Sequence, residues 1–329
     1  MKRQALIGIG LFVAAAAVVL TPAWANLRAP KRVDGFLSGS ARGPLPAEAL
    51  ILRGEELRVV FPDFQGALSE KSGTVRFSVR YEIENSTPQP VTAPVKFLAV
   101  DIRDLAARLN AAAVPAELAV DPEEKAECLP RLARHRQTFA PGLYSNFLSD
   151  LRKKAGLQDA PDGEWISRLE KADLKEVNFS DLTPWGWQSA KAEDFRTAKL
   201  VLALKPGRNI LEIAYNQRMF VEERDYGYFG SWPQKGFTGV DYLLYPAGSW
   251  PLAKDFRLII RVEVPDYHHK VLFGTHWHPA IVRCSPGLKD IPADRKRVRF
   301  LEGTFAGIPA DILTVLVWFD KKAVRHLAP

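Results

Sequence analysis

Residues 74–85 read Thr-Val-Arg-Phe-Ser-Val-Arg-Tyr-Glu-Ile-Glu-Asn. Val75, Phe77, Val79, Tyr81 and Ile83 alternate with Arg76, Ser78, Arg80, Glu82 and Glu84. Side chains on a strand point alternately to its two faces, so this period of two sets one face on a core and the other in water.

Similar patterns lie on either side, with turn residues between them. Asn85-Ser-Thr-Pro-Gln-Pro90 reads as a turn and residues 95–100 as the next strand. Residues 105–120 mix signals, because their alanines favour helix while Pro115 interrupts one; they are read as two strands meeting near Asn110. Asp121-Pro122-Glu123-Glu124 then has the grammar of a helix start: a capping Asp, Pro at the first helical position and acids in the first turn. Leu143, Phe147, Leu151 and Ala155 recur at helical spacing, and Trp165, Ile166 and Leu169 continue the pattern. Residues 121–176 are therefore expected to form a helical insertion.

Strand patterns resume at 199–215, divided by a Lys205-Pro-Gly-Arg-Asn209 turn, and recur at 241–245, 256–264, 270–273, 280–283, 298–305 and 311–319. Strands at this spacing argue for a mainly β fold, a β-sandwich rather than βαβ units. Residues 26–44, with Pro30, Gly35, Gly39, Gly43 and Pro44, read as an extended lead-in. The expected division is a β-sandwich domain over 45–264, carrying the insertion 121–176, and a smaller C-terminal β region over 265–329. The apolar run at 312–319 is expected to be a central strand buried on both faces.

The chain opens Met1-Lys2-Arg3-Gln4, continues with an apolar run over 5–20 and ends that segment Thr21-Pro22-Ala23-Trp24-Ala25. A positive start, a short apolar core and an Ala-x-Ala exit make residues 1–25 a signal peptide, with cleavage after Ala25. An uncleaved anchor is the alternative, although the run falls short of the roughly 20 residues that span a bilayer. No later transmembrane segment is expected, which gives a periplasmic or secreted protein. Loss of Lys2 and Arg3 lowers the formal charge from +7 to +5. Nucleic acid is set aside as a partner on grounds of compartment. The basic run Arg295, Lys296, Arg297 and Arg299, and later Lys321, Lys322 and Arg325, reads either as a patch for an anionic envelope lipid or polymer or as a solvated strand face.

Two cysteines, Cys128 and Cys284, remain in an oxidising compartment, and one disulfide between them is expected, with two separate buried thiols as the alternative. On the chain-entropy account so long a loop would add about 4–5 kcal/mol.

Four of the six histidines fall within "HHKVLFGTHWHP". On a strand His276 and His278 face the same way and offer two imidazoles to zinc or copper, with His268 or His269 returning across a hairpin as third ligand and Asp266 or Glu263 as weaker candidates. Ordinary strand histidines are the competing reading, because the full ligand count of a zinc motif is missing. No nucleophile elbow, His-Glu-x-x-His or phosphate loop occurs. The aromatic stretch 226–250, with Tyr228, Trp232 and Trp250, and Trp185 and Trp187 upstream, suits stacking on a sugar chain or sealing the end of a sandwich.

"YLLYPAGSWPLAKDFRLII" (242–260), "HKVLFGTHW" (269–277) and "RVRFLEGTFAGIPADILTVLVWF" (297–319), with "VRYEIENSTPQPVTAPVKF" (79–97) and "LALKPGRNILEIAY" (202–215) in similar style, resemble a family of exported bacterial β-rich proteins of unknown function. The resemblance covers about half of the chain and implies a signal peptide and β-rich domains, with no catalytic residues to carry over; residues 121–176 and the histidine cluster lie outside it. The expectation is a non-enzymatic exported envelope protein without a cofactor. It would bind an envelope component or protein partner through the aromatic stretch. The alternative is a metal-binding protein or metal-dependent hydrolase built on His276 and His278.

Overall fold

A computed structural model of the chain describes residues 27–29, 33–35, 44–45, 49–64, 74–177, 182, 195–222, 237–271, 274–292 and 296–319. In chain order come β1 (Leu27–Arg28), β2 (Val33–Gly35), β3 (Pro44–Leu45), β4 (Leu50–Val60), β5 (Thr74–Asn85), β6 (Val91–Val100), β7 (Arg103–Leu109), β8 (Ala112–Val114) and β9 (Ala116–Ala119). Helices α1 (Pro122–Phe139), α2 (Ser145–Lys154) and α3 (Trp165–Leu169) follow, then β10 (Phe195–Leu204), β11 (Gly207–Arg218), β12 (Phe220–Glu222) and β13 (Phe237–Leu243). After a 3-10 turn at Tyr245–Ser249 come β14 (Leu252–Pro265), β15 (Tyr267–Val271), β16 (Gly274–His278), β17 (Ile281–Ser285), β18 (Lys289–Ile291), β19 (Val298–Phe305) and β20 (Ile312–Trp318).

These strands build three packed sheets and one hairpin. The largest has eight strands in the order β18-β19-β14-β4-β5-β11-β7-β8. A six-stranded sheet runs β3-β2-β6-β10-β9 with β1 also on β6, and a four-stranded sheet runs β12-β13-β20-β17. The alternation of β5 is realised directly: Val75, Phe77, Val79, Tyr81 and Ile83 are buried in the core that the eight-stranded sheet shares with the other two.

Both turns read from the sequence pass the chain from one sheet to another rather than closing hairpins. β5 leads into β6, and β10 into β11, across the sandwich. Two buried asparagines secure these crossings. Asn85 Nδ2 donates to Gln89 O at 2.8 Å and to Leu204 O at 3.3 Å, while Asn209 Oδ1 accepts from Lys205 N at 3.0 Å. Gly207, at φ +79, takes the left-handed conformation that such a crossing requires. The pair of strands expected near Asn110 is β7 and β8, joined through Asn110 and Ala111, both at positive φ. Two successive positive φ values suit the twist of a tight hairpin.

The insertion between β9 and β10 is helical as expected. Asp121 caps α1 by accepting from Glu123 N and Glu124 N, and Pro122 opens the helix. Cys128, Leu129 and Leu132 of α1 pack with Leu98, Val100 and Phe195 on the outer side of the six-stranded sheet. β20 is buried along its whole length between β13 and β17. Its Leu313, Val315 and Val317 enter the main core, while Ile312, Leu316 and Trp318 meet the helical side. The layers are therefore the eight-stranded sheet, the two smaller sheets, and the helices. The boundary drawn at residue 264 falls inside a sheet, because β19 pairs along β14 and β20 along β13.

Cys128 and Cys284 are free, so the expected disulfide is not formed in this structure. Cys128 belongs to the helical side, whereas Cys284 packs against the main core and stands opposite Val315. The four-stranded sheet separates them. Burial pushes both thiols up to about 12.

Candidate functional site

The histidine segment forms the hairpin β15–β16, with Tyr267 opposite His278, His268 opposite Trp277 and His269 opposite His276. The reversal at 272–273 lies outside the described residues. His276 and His278 share a face, but His268 belongs to the other one, and so cannot serve as their third ligand. Its ring stacks on Trp277 at 4.4 Å between centroids, and the Arg297 guanidinium lies 3.8 Å from the Trp277 centroid. His278 packs beside Tyr267 instead. Asp266 accepts from Ala280 N at 3.0 Å and Glu263 from Arg58 Nε at 2.7 Å, so both weaker candidates are engaged elsewhere. Among the described residues no three His, Cys, Asp or Glu side chains converge to hold a metal.

Trp250 is buried in the main core, and its indole N–H donates to Leu27 O. It fastens the 3-10 turn to β1 and is no ligand contact, because a stacking platform has to be exposed. Tyr228 and Trp232, like Trp185 and Trp187, lie outside the described residues. Of the basic run, Arg299 chelates Asp290 at 2.6 and 2.7 Å.

A different surface carries a hollow of ligand-site size. The outer face of the eight-stranded sheet follows from the polar half of β5 and its neighbours, row by row. One row runs Arg261, Arg58, Ser78, Ala214, Ala106 across β14, β4, β5, β11 and β7. Beside it on one side run Ile259, Glu56, Arg80, Glu212 and Arg108, and on the other Glu263, Val60, Arg76, Asn216 and Arg103. Small Ser78, Ala214 and Ala106 thus form a floor, beside which Glu56, Arg80, Glu212 and Arg108 raise a wall of long charged side chains. The trough lined by the Arg261-to-Ala106 row and the Ile259-to-Arg108 row has a volume of about 580 Å³, with the Glu263-to-Arg103 row beyond its edge, within the range of roughly 300–1,000 Å³ usual for ligand sites. Four interstrand spacings give it a length of about 19 Å.

Ion pairs tie down part of this surface: Arg261 Nε to Glu302 at 2.6 Å, Arg80 to Glu56 at 3.6 Å and Arg103 to Asp101 at 3.2 Å, with Arg58 held by Glu263. Arg76 and Arg108 meet no carboxylate among the described residues.

Beneath the trough, β4 carries a bulge. Leu50 and Leu52 face the core, and so do Leu57 and Val59, which requires a change of parity between them. Pairing with β5 shifts between Leu52 and Gly54, so Glu55 turns inward while Glu56 and Arg58 stay in the trough. Glu55 is fully buried opposite Tyr81. Tyr242 OH donates to Glu55 Oε1 at 2.9 Å, and the Tyr81 and Tyr242 hydroxyls lie 3.2 Å apart. Glu55 Oε2 and Tyr215 OH make no hydrogen bond among the described residues. Burial raises the Glu55 carboxyl to about 7, against the lowering effect of the Tyr242 and Tyr81 hydroxyls. Sequence reasoning missed this residue, although the parity change from Leu50 and Leu52 to Leu57 and Val59 marks it.

No protein-family profile and no curated protein matches the chain. Among solved structures, a candidate nutrient-binding protein of Legionella pneumophila is 10% identical over 89% of this chain and 72% of its own, with a TM-score of 0.38. An M1 zinc metallopeptidase of Deinococcus radiodurans is 12% identical over 82% of this chain and 42% of its own, with a TM-score of 0.33. Yeast LTA4 hydrolase is 7% identical over 82% of this chain and 28% of its own, also at 0.33. The chain thus spans less than half the length of either hydrolase. These similarities are too distant to transfer a function.

Proposed function

We propose that the protein is an exported, non-enzymatic binding protein of the bacterial envelope, and that it holds an extended ligand bearing acidic groups along the trough of the eight-stranded sheet. The observation that carries this reading is the floor of Ser78, Ala214 and Ala106, with Arg108 in the trough lining and Arg76 in the row just beyond it, both guanidinium groups free of carboxylates among the described residues. A guanidinium presents paired donors that match carboxylate or phosphate oxygens. Glu212 stands between Arg80 and Arg108, so that wall offers its positive charge at two separated points. Export is supported by the signal-like residues 1–25.

The test is calorimetric titration of residues 26–329 with hexaglutamate, using an uncharged oligosaccharide as control. Each charge-assisted contact is worth about 1.5–3 kcal/mol, so Arg76→Ala/Arg108→Ala should weaken hexaglutamate binding by at least about tenfold. Equal binding by the variant, or a preference for the uncharged chain, would sink the assignment.

A further inference from the structure

The tyrosine-lined carboxyl of Glu55 lies directly behind the trough. It stands between Leu258 of β14 and Tyr81 of β5, with Tyr242 of β13 reaching it from the opposite sheet and Tyr215 of β11 near enough to feel its charge. Among the described residues, the groups that shift it are the Tyr242 and Tyr81 hydroxyls, and no cation is among them. Burial holds the hydroxyls of Tyr81, Tyr215 and Tyr242 well above their ordinary value, so Glu55 alone in this cluster changes charge near neutrality. A buried carboxylate without a cation is costly, whereas its neutral form is tolerated.

A second hollow of about 270 Å³ opens at the bulge, lined by Arg53, Gly54 and Glu55 with Glu82, Asp255 and Arg257, and sharing Glu56, Arg80 and Ile259 with the main trough. The segment that carries the buried carboxyl therefore also forms part of the trough wall, and a hydration demand at Glu55 is met most easily through the bulge.

We infer that Glu55 is a proton-operated control of the trough: neutral, it keeps the β4 bulge packed and the wall formed; ionised, it loosens both and weakens the ligand's hold. This rests on the binding reading above. The regulated ligand is the same acid-bearing chain, and its release is favoured by alkaline conditions. Coupling between linked sites runs from about fivefold upward.

The experiment titrates the mature chain with hexaglutamate at pH 6 and pH 8.5, a window in which the probe stays ionised, alongside Glu55→Gln. Thermal melting is followed over the same range. The expected result is wild-type affinity weaker by about fivefold at the higher pH, a Glu55→Gln affinity that does not change with pH, and a melting-temperature difference between the two that varies with pH. Tyr242→Phe removes one hydroxyl that favours the ionised form, and should move the wild-type transition to higher pH; it serves if Glu55→Gln does not fold. Wild-type binding that is strong and flat with pH overturns the coupling while the trough stands. Absence of binding at both pH values overturns the trough reading and the coupling with it. A pH-independent melting difference shows that Glu55 does not titrate, and overturns the control outright.

Discussion

Arg136 and Asp241 face one another with both side chains fully buried, Nη2 to Oδ2 at 2.7 Å and Nε to the same oxygen at 3.2 Å. The pair joins α1 to β13, and Asp241 Oδ1 also accepts from Thr314 of β20, whose hydroxyl lies 2.8 Å from His135 Nε2. The guanidinium sits over the rings of Phe147 and Tyr144, at 4.2 and 4.7 Å from their centroids. Removing one partner strands the other charge in the interior, so Asp241→Ala should cost about 3–5 kcal/mol in urea unfolding. The Arg136→Met/Asp241→Leu double variant should lose much less, because no charge is left unpaired. A double variant as unstable as the single would show that the pair itself, rather than the orphaned charge, carries the energy.

Much of this frame is legible in local sequence. The alternation of Val75 to Ile83, the Asp121-Pro122 helix start and the Asn110 reversal each depend on a few neighbouring residues, and each has the expected form. What local sequence does not carry is the partner. The Lys205-Pro-Gly turn is readable, but that it moves the chain between sheets depends on β6 and β5, more than a hundred residues upstream. Trp250 looks like a loop aromatic until Leu27, 223 residues away, accepts its N–H. In Arg53-Gly-Glu-Glu-Leu57, charge suggests exposure; only the register with β5 turns Glu55 inward.

Trp250 separates a packing role from a binding one. Its side chain fills the core and its N–H satisfies a buried carbonyl. Trp250→Phe should therefore lower stability by about 1–3 kcal/mol through the unsatisfied Leu27 O, and leave hexaglutamate affinity unchanged. A loss of affinity with stability intact would return Trp250 to the ligand.

The histidine hairpin makes a similar separation. His268 lies on the face of Trp277, away from His276 and His278. Zinc titration of His268→Ala should match the wild type, while the lost stacking should cost about 0.5–1.5 kcal/mol. Zinc binding abolished by His268→Ala would require the hairpin to present its faces differently.

Glu55 gives the pH dependence of stability a sign. In the unfolded chain its carboxyl titrates near 4.5, and in the folded core near 7. Between those values the unfolded state gives up its proton while the folded state keeps it, so this group's contribution is complete below pH 4.5, declines as pH rises to 7 and is level beyond. A separation of that size amounts to about 3 kcal/mol. His135 works the other way: burial lowers its affinity for a proton, so its contribution is present above its unfolded value near 6.5 and is lost as pH falls. The quantity to measure is therefore the difference between wild type and Glu55→Gln at each pH, which cancels His135. That difference should move against the wild type by about 3 kcal/mol from pH 4.5 to 7 in urea unfolding. A constant difference across the interval would mean that water or a partner already satisfies Glu55 Oε2, leaving its ionisation as easy in the folded chain as in the unfolded one.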